Sequence, residues 1–166
     1  MFNYETGLCT PGSSISRIEL PPSSAEGSLY YSCDSHQGFS LKTYGSTVAC
    51  VGLFRPKLNY TMADAECTNK GGFLMSVKTV DKLIILTQIW DFNNTWVGCD
   101  DLAEQGQYRW KEDGDLLTTE TISSIFSKNE PSDNGQDCVN IGAGSGKLGD
   151  MLCQMSAPYV CEILLP

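Results

Sequence analysis

Glu130-Pro131-Ser132, Asp137-Cys138, Leu148-Gly149-Asp150, Cys153 and Cys161 bring carboxylates, a hydroxyl and cysteines into one short stretch of the chain. That set of side chains suits a hard cation. Calcium takes about six to eight oxygens from carboxylates, hydroxyls and backbone carbonyls, and cysteines in the same stretch can clamp the segments that carry them.

The remaining composition narrows the chemistry. Eight cysteines, an even number running from Cys9 to Cys161, include no close C-x2-C pair, and His36 is the only histidine. Disulfides in an oxidising compartment therefore fit better than zinc. Asp plus Glu number 20 against 11 Lys plus Arg, a net charge of -9 with no basic run, which argues against nucleic acid as a partner. The longest apolar run, Leu83-Ile84-Ile85-Leu86, falls far short of the roughly 20 residues of a membrane span, so membrane insertion is not expected. Met1 to Thr6 show neither the basic start nor the apolar run of a secretion signal. With the cysteines, this leads to the expectation of a secreted protein whose leader has been removed. Two glycosylation sequons, Asn59-Tyr60-Thr61 and Asn93-Asn94-Thr95, agree with a secreted glycoprotein.

Several elements must position these groups. Residues 1 to 30, rich in Pro, Ser and Gly, read as loop. Tyr31-Ser32-Cys33, Gly38-Phe39-Ser40-Leu41 and Gly45 to Cys50 read as short strands. A helix is expected from Thr61, as its cap, with Met62, Ala63, Ala65 and Cys67 as an apolar stripe and Gly71-Gly72 as the stop. A second helix is expected over Val80–Trp90 behind a Thr79 cap, with Val80, Leu83, Ile84 and Ile89 at helical spacing. Thr95 to Gly98 and Tyr108 to Trp110 read as buried strands, residues 118 to 134 as a long polar loop, and Val139 to Ile141 and Tyr159 to Glu162 as closing strands. The pattern predicts an α+β domain whose long excursion carries the site.

In order along the chain, Ala63-x-Ala65-Glu66-Cys67, Gly72-Phe73-Leu74, Trp96-Val97-Gly98, Gly106-x-Tyr108-x-Trp110, Glu130-Pro131-Ser132, Asp137-Cys138, Cys153 and Cys161 resemble the C-type lectin-like family of invertebrate secreted type over about residues 50 to 164. The resemblance implies the C-type lectin-like fold, with two helices, short antiparallel sheets and a long ligand-binding loop stapled by disulfides. Ahead of it, Tyr31-x-Cys33, Gly38-Phe39-x-Leu41 and Cys50 resemble part of a complement-control (sushi) module, without its closing Trp and Pro-x-Cys. The division expected is a disulfide-containing, partly sushi-like amino-terminal extension over residues 1–49 and a C-type lectin-like domain over 50–166.

The lectin resemblance implies that Cys67 pairs with Cys161 and Cys138 with Cys153. Cys9, Cys33, Cys50 and Cys99 then allow three pairings. The sushi resemblance favours Cys9 with Cys50, leaving Cys33 for Cys99, and this is the preferred arrangement; a lectin-type amino-terminal hairpin would pair Cys33 with Cys50 and leave Cys9 for Cys99.

The resemblance also implies two calcium positions. The sugar-binding one would use Glu130, Ser132 in place of the usual Asn or Asp, Gln136 in place of Glu, Gly149 in place of Asn, and Asp150. Calcium there is expected to be weak, held by Glu130, Ser132 and Asp150, because Gly149 offers no side-chain oxygen. The auxiliary position would use Asp101, Gln105, Asp133 and Asp137, with only Gln105 departing from the family. Singly, such aspartates are solvated turn residues; as an ordered set they read as cation ligands.

The implied function is calcium-dependent recognition of sugar hydroxyls on a glycan or glycoprotein, through Glu130, Ser132, Gln136 and Asp150. The alternative is a calcium-independent module that binds a protein. Glu130-Pro131-Ser132 matches neither the mannose nor the galactose signature of the family, so the sugar stays open. Trp96 and Trp110 read as packing. No enzyme is expected: Gly142 to Lys147 ends in Leu148 and lacks a P-loop's first glycine, so it reads as a turn, and no Gly-x-Ser-x-Gly elbow is present.

Overall fold

The hairpin that opens the described fold is set by a two-residue turn, Gly45-Ser46, whose first position takes a positive φ of 57°. It joins β1 (Ser40–Tyr44) to β2 (Thr47–Leu58). The computed structural model describes Cys33 and residues 37–132 and 135–165. β2 runs antiparallel to the last strand, β8 (Ala157–Ile163), in register from Cys50 opposite Ile163 to Phe54 opposite Tyr159. The register slips between Phe54 and Leu58, where Pro56 has no N–H to give to a ladder.

Between these strands lie β3 (Phe73–Leu74), β4 (Thr95–Asp100), β5 (Arg109–Trp110), β6 (Cys138–Ile141) and β7 (Leu148–Met151). The sheet order is β1-β2-β8-β4-β6-β7, with β3 on β8 and β5 on β4; β4 meets β8 in parallel, at Trp96 opposite Tyr159, and every other pairing is antiparallel. β4 sits in the middle, buried from Thr95 to Cys99. Gly98 is required there, because a Cβ would lie 2.0 Å from the Leu74 carbonyl oxygen.

Three helices flank the sheet: α1 (Tyr60–Asn69), α2 (Val80–Thr87) and α3 (Thr119–Ile125). Asn59, not Thr61, caps α1 by accepting from the Met62 amide at 2.9 Å, since Tyr60 already turns helical to bury its ring. The buried face is Tyr60, Ala63 and Cys67; Met62 and Ala65 point outward. Thr79 caps α2 as expected, but the helix ends at Thr87, and Leu83, Ile85 and Leu86 are its buried side chains while Val80 is exposed. The stretch 118–134, predicted as loop, contains α3, because Thr118 caps it and Ile125 buries into the core. Polar Ser and Thr side chains on its outer face had hidden its periodicity.

Two apolar cores result. One gathers Val51, Leu86, Val97, Trp110, Ile141 and Leu148; the other gathers Tyr60, Leu74, Trp96, Tyr159 and the buried disulfides. Trp96 and Trp110 are packing residues, 0% and 3% exposed.

Cys67–Cys161 and Cys138–Cys153 form as the resemblance implied, across 94 and 15 residues, with Cα atoms 5.3 and 5.2 Å apart. On the loop-entropy model such links contribute about 4.7 and about 3 kcal/mol. The pairing preferred for the others is corrected: Cys33 bonds Cys50, not Cys99. Cys33 and Cys50 belong to the second core, whereas Cys99 is enclosed in the first, opposite Trp110 in the β4–β5 pair, and is a free thiol among the described residues. Cys9 and His36 lie outside the described residues. The division drawn between residues 49 and 50 falls inside β2, whose hairpin partner β1 is the edge of the same sheet.

Candidate functional site

Between β4 and β6 the chain makes its long excursion, closed at its neck by the Asp101 amide donating to the Asp137 carbonyl at 3.1 Å. It passes through β5 and α3, turns at Asn129 (φ 67°), crosses a cis Glu130-Pro131 bond and returns to the sheet. The excursion thereby lays residues 130–132 over β7.

Asp150 is the anchor. It faces inward from β7, 8% exposed, and both its oxygens lie 2.9 Å from the Ser132 amide. The Ser132 hydroxyl is 3.2 Å from Oδ1 and the Tyr108 hydroxyl 3.0 Å from Oδ2. The Tyr108 oxygen is also 2.8 Å from the Gln136 carbonyl, and its single proton serves these two acceptors. Burial and the neighbouring Asp150 charge push that phenol's pKa upward, so it remains a donor.

Glu130 stands beside this anchor with an oxygen unsatisfied: Oε2 is buried and has no hydrogen-bond partner among the described residues. Burial first, and the Asp150 carboxyl second, raise its pKa from 4.5 to about 7. Gly149 leaves the space next to it open. A Cβ on Gly149 would lie 3.4 Å from Glu130 Cγ and 3.7 Å from Oε2, and its φ is not in the left-handed region. Glu130, Gly149 and Asp150 line a pocket of about 250 Å³ together with Asn94, Gly142 and Lys147.

The second acidic group is satisfied differently. Asp101 is 3% exposed and its Oδ2 accepts from the Gly106 amide at 2.7 Å and the Gln105 side-chain amide at 2.9 Å. The same Gln105 nitrogen lies 3.5 Å from Asp137 Oδ1. Asp101, Gln105 and Asp137 are thus brought together, while Asp133 lies outside the described residues. Among the described residues no three His, Cys, Asp or Glu side chains are grouped to hold a metal ion.

Of the sugar-position residues, Glu130, Ser132 and Asp150 converge; Gln136 contributes its backbone carbonyl through Tyr108. Tyr108, which the sequence placed only in a buried strand, braces Asp150, and that contact was not legible because the two lie 42 residues apart. Asp100, Asp113 and Asp115 are ion-paired: Asp100 with Lys111 at 3.0 Å, and Asp113 and Asp115 with Lys78. Gly142 to Lys147 is the turn of the β6–β7 hairpin, closed by the Gly142 amide on the Lys147 carbonyl at 2.9 Å.

A fold of this topology, with a carboxylate-bearing loop over its terminal strands, has counterparts among known proteins. The family model described as Lectin C-type domain matches residues 56–163, and the chain belongs to that family. The mouse C-type lectin domain family 4 member F is 30% identical over 114 residues, covering 65% of this chain and 20% of that protein. The rat C-type mannose receptor 2 is 30% identical over 115 residues, covering 68% of this chain and 8% of its own length. The chain therefore spans a fifth or less of these relatives. An invertebrate relative, C-type lectin 37Db of Drosophila melanogaster, is 27% identical over 112 residues, 64% of this chain and 72% of that protein. Among solved structures, the cow carbohydrate-recognition domain of CD23 superposes with a TM-score of 0.63 at 26% identity over 75% of this chain and 92% of its own. A calcium-independent type II antifreeze protein shares the fold, with a TM-score of 0.69 at 21% identity over 83% and 98%.

Proposed function

We propose that this is the carbohydrate-recognition domain of a secreted protein, taking sugar hydroxyls through a calcium ion at Glu130, Ser132 and Asp150. The buried Glu130 oxygen beside Asp150 carries the reading, because two adjacent carboxylates with too few donors repel each other until a proton or a cation intervenes. Bound calcium would supply a Lewis-acidic centre for a pair of vicinal hydroxyls. The chain's own residues do the rest: Ser132 and Tyr108 hold Asp150 in place, and Glu130 remains free to accept a hydroxyl proton in a charge-assisted hydrogen bond. The absence of a side chain at Gly149 makes the site shallow in ligands and open in shape, consistent with modest calcium affinity. Three disulfides among the described residues fit an extracellular setting.

A second reading, calcium-independent recognition of a protein, draws support from the donors already on Asp150 and from the Gln105 amide seated between Asp101 and Asp137. Calcium titration by calorimetry, followed by glycan-array binding with and without chelator, separates the two. Chelator-sensitive glycan binding is the expected result. No calcium heat and no glycan signal would leave the protein-binding reading.

A further inference from the structure

Across β4, β6 and β7 one row of the sheet reads Trp96, Asn140, Gly149, because Asn140 is the register partner of both. Partners in adjacent antiparallel strands share a face, with Cβ atoms about 4.5–5.5 Å apart. On one side of Asn140 stands the fully buried indole of Trp96; on the other, Gly149 carries no side chain. The same face bears Cys138, two residues before Asn140, in its disulfide with Cys153. A strand position flanked in this way favours a β-branched apolar residue, yet the chain has an asparagine there, 5% exposed.

The protein matches this amide poorly. Its one hydrogen bond among the described residues runs from Nδ2 to the Ile141 carbonyl at 3.5 Å, longer than the roughly 3.2 Å upper end of ordinary N–H···O bonds, and Oδ1 accepts none. A buried amide without partners is costly unless a ligand supplies them. The open side is the pocket, which Asn140 lines together with Glu130, Gly149 and Asp150. The place that a Gly149 side chain would take is bounded by Glu130, whose Cγ would lie 3.4 Å from a Cβ there, and by Asn140 directly across the ladder. Two other polar side chains of the pocket are engaged elsewhere: Asn94 Oδ1 accepts from the Ala143 amide at 2.7 Å, and the Lys147 ammonium donates to the Ser124 carbonyl at 2.7 Å.

We propose that Asn140 is a sugar-contacting residue: its amide, uncovered by Gly149, hydrogen-bonds a hydroxyl of the sugar held at Glu130 and Asp150. The inference rests on the carbohydrate reading above. A hydroxyl both donates and accepts, so it meets the unmatched Oδ1 and, by turning, Nδ2. Gly149 thereby does more than remove an oxygen from the site. It opens the neighbouring strand to the ligand and moves the recognising amide from β7 to β6.

The test is calorimetry with the methyl glycosides of mannose, galactose, fucose and N-acetylglucosamine at saturating calcium, together with calcium titration and thermal melting. It compares the parent, Asn140→Val, Asn140→Ala, Gly149→Asn and the double variant Gly149→Asn, Asn140→Val. Asn140→Val suits the strand and removes an unmatched amide, so it melts no lower than the parent. Both single Asn140 variants weaken binding of the glycoside the parent takes by roughly three- to tenfold, the worth of one hydrogen bond, and leave calcium affinity within about twofold. In Gly149→Asn the introduced amide covers Asn140 and takes its place, so adding Asn140→Val there costs less than about twofold. Glycoside affinity unchanged in both Asn140 variants overturns the assignment while the carbohydrate reading stands. A loss of sugar binding that comes with an equal loss of calcium affinity, or with a lower melting temperature in Asn140→Val, also overturns it and makes Asn140 a support of the sheet. A parent that binds none of the glycosides removes the carbohydrate reading and the assignment with it.

Discussion

Two acidic groups share the long-loop face and meet their electrostatic demands in opposite ways. Around Asp101 the donors come from the same turn: Gly106 and Gln105 follow within five residues and neutralise one oxygen between them. Around Asp150 the partners come from elsewhere, Ser132 and Tyr108, separated from it by 18 and 42 residues, and the neighbouring Glu130 has a buried oxygen with no hydrogen-bond partner among the described residues. A carboxylate that draws its donors from its own turn shapes that turn. A pair assembled across distant segments, with a deficit of donors, has a use for a cation. On the proposed reading Asp101 shapes its turn, and Glu130 and Asp150 face the ligand.

The largest expected effect breaks the comparison at its anchors. Asp150→Ala removes the acceptor of the Ser132 amide and hydroxyl and leaves the Tyr108 phenol the Gln136 carbonyl alone, so at about 1–3 kcal/mol per unpaired buried donor a loss of about 2–4 kcal/mol is expected in urea unfolding. Asp101→Ala strands the Gly106 amide, while the exposed Gln105 amide can turn to water, and about 1–2 kcal/mol is expected. An inverted order would show that the Asp101 turn, not Asp150, anchors the face.

Chelation is the next largest. Calcium at a hundred times its dissociation constant adds about 2.7 kcal/mol to folding, and the melting temperature should fall on its removal. Glu130→Gln should cancel most of that shift, and Gln105→Ala should spare it. A shift that instead follows Asp137→Ala and ignores Glu130→Gln would transfer the cation to the other group.

The pH dependence sharpens the same contrast. A Glu130 pKa raised from 4.5 to about 7 means that the folded chain retains a proton which the unfolded chain has released. Its contribution to stability is fully present below about 4.5 and is lost as pH rises through about 7. In chelator, stability of the parent should therefore decline between those limits relative to Glu130→Gln. Calcium requires the ionised form, so its affinity should rise over the same interval. A calcium affinity flat from pH 5 to 8 would remove Glu130 from the ligand set.

The smallest effect concerns Gly149. Its φ is not left-handed and a Cβ would make ordinary contact with Glu130, so Gly149→Asn should fold with a stability change of about 1 kcal/mol or less. Made together with Gln136→Glu, it should tighten calcium and sugar binding by calorimetry. A double variant that binds calcium more tightly and still takes no sugar would favour protein recognition.

Residue types and local spacing were enough to determine the use of cysteines in disulfides, the Thr79 cap, the strands at Trp96 and Trp110, the Cys67 and Cys138 partners through the family's order of motifs, and the acidic residues worth testing. These are properties of short segments or of an ordered set, and they survive without coordinates. The outcome of long-range contacts was not legible. Cys33 met Cys50 and not Cys99 because Cys33 and Cys50 face one core while Cys99 faces the other. α3 formed inside a polar stretch because Ile125 had a core to enter. Above all, Gln105 and Gly106 beside Asp101, and Tyr108 beneath Asp150, decided which carboxylates were already satisfied. A carboxylate's demand for a cation depends on the donors around it in space, and only the tertiary structure brings those donors together.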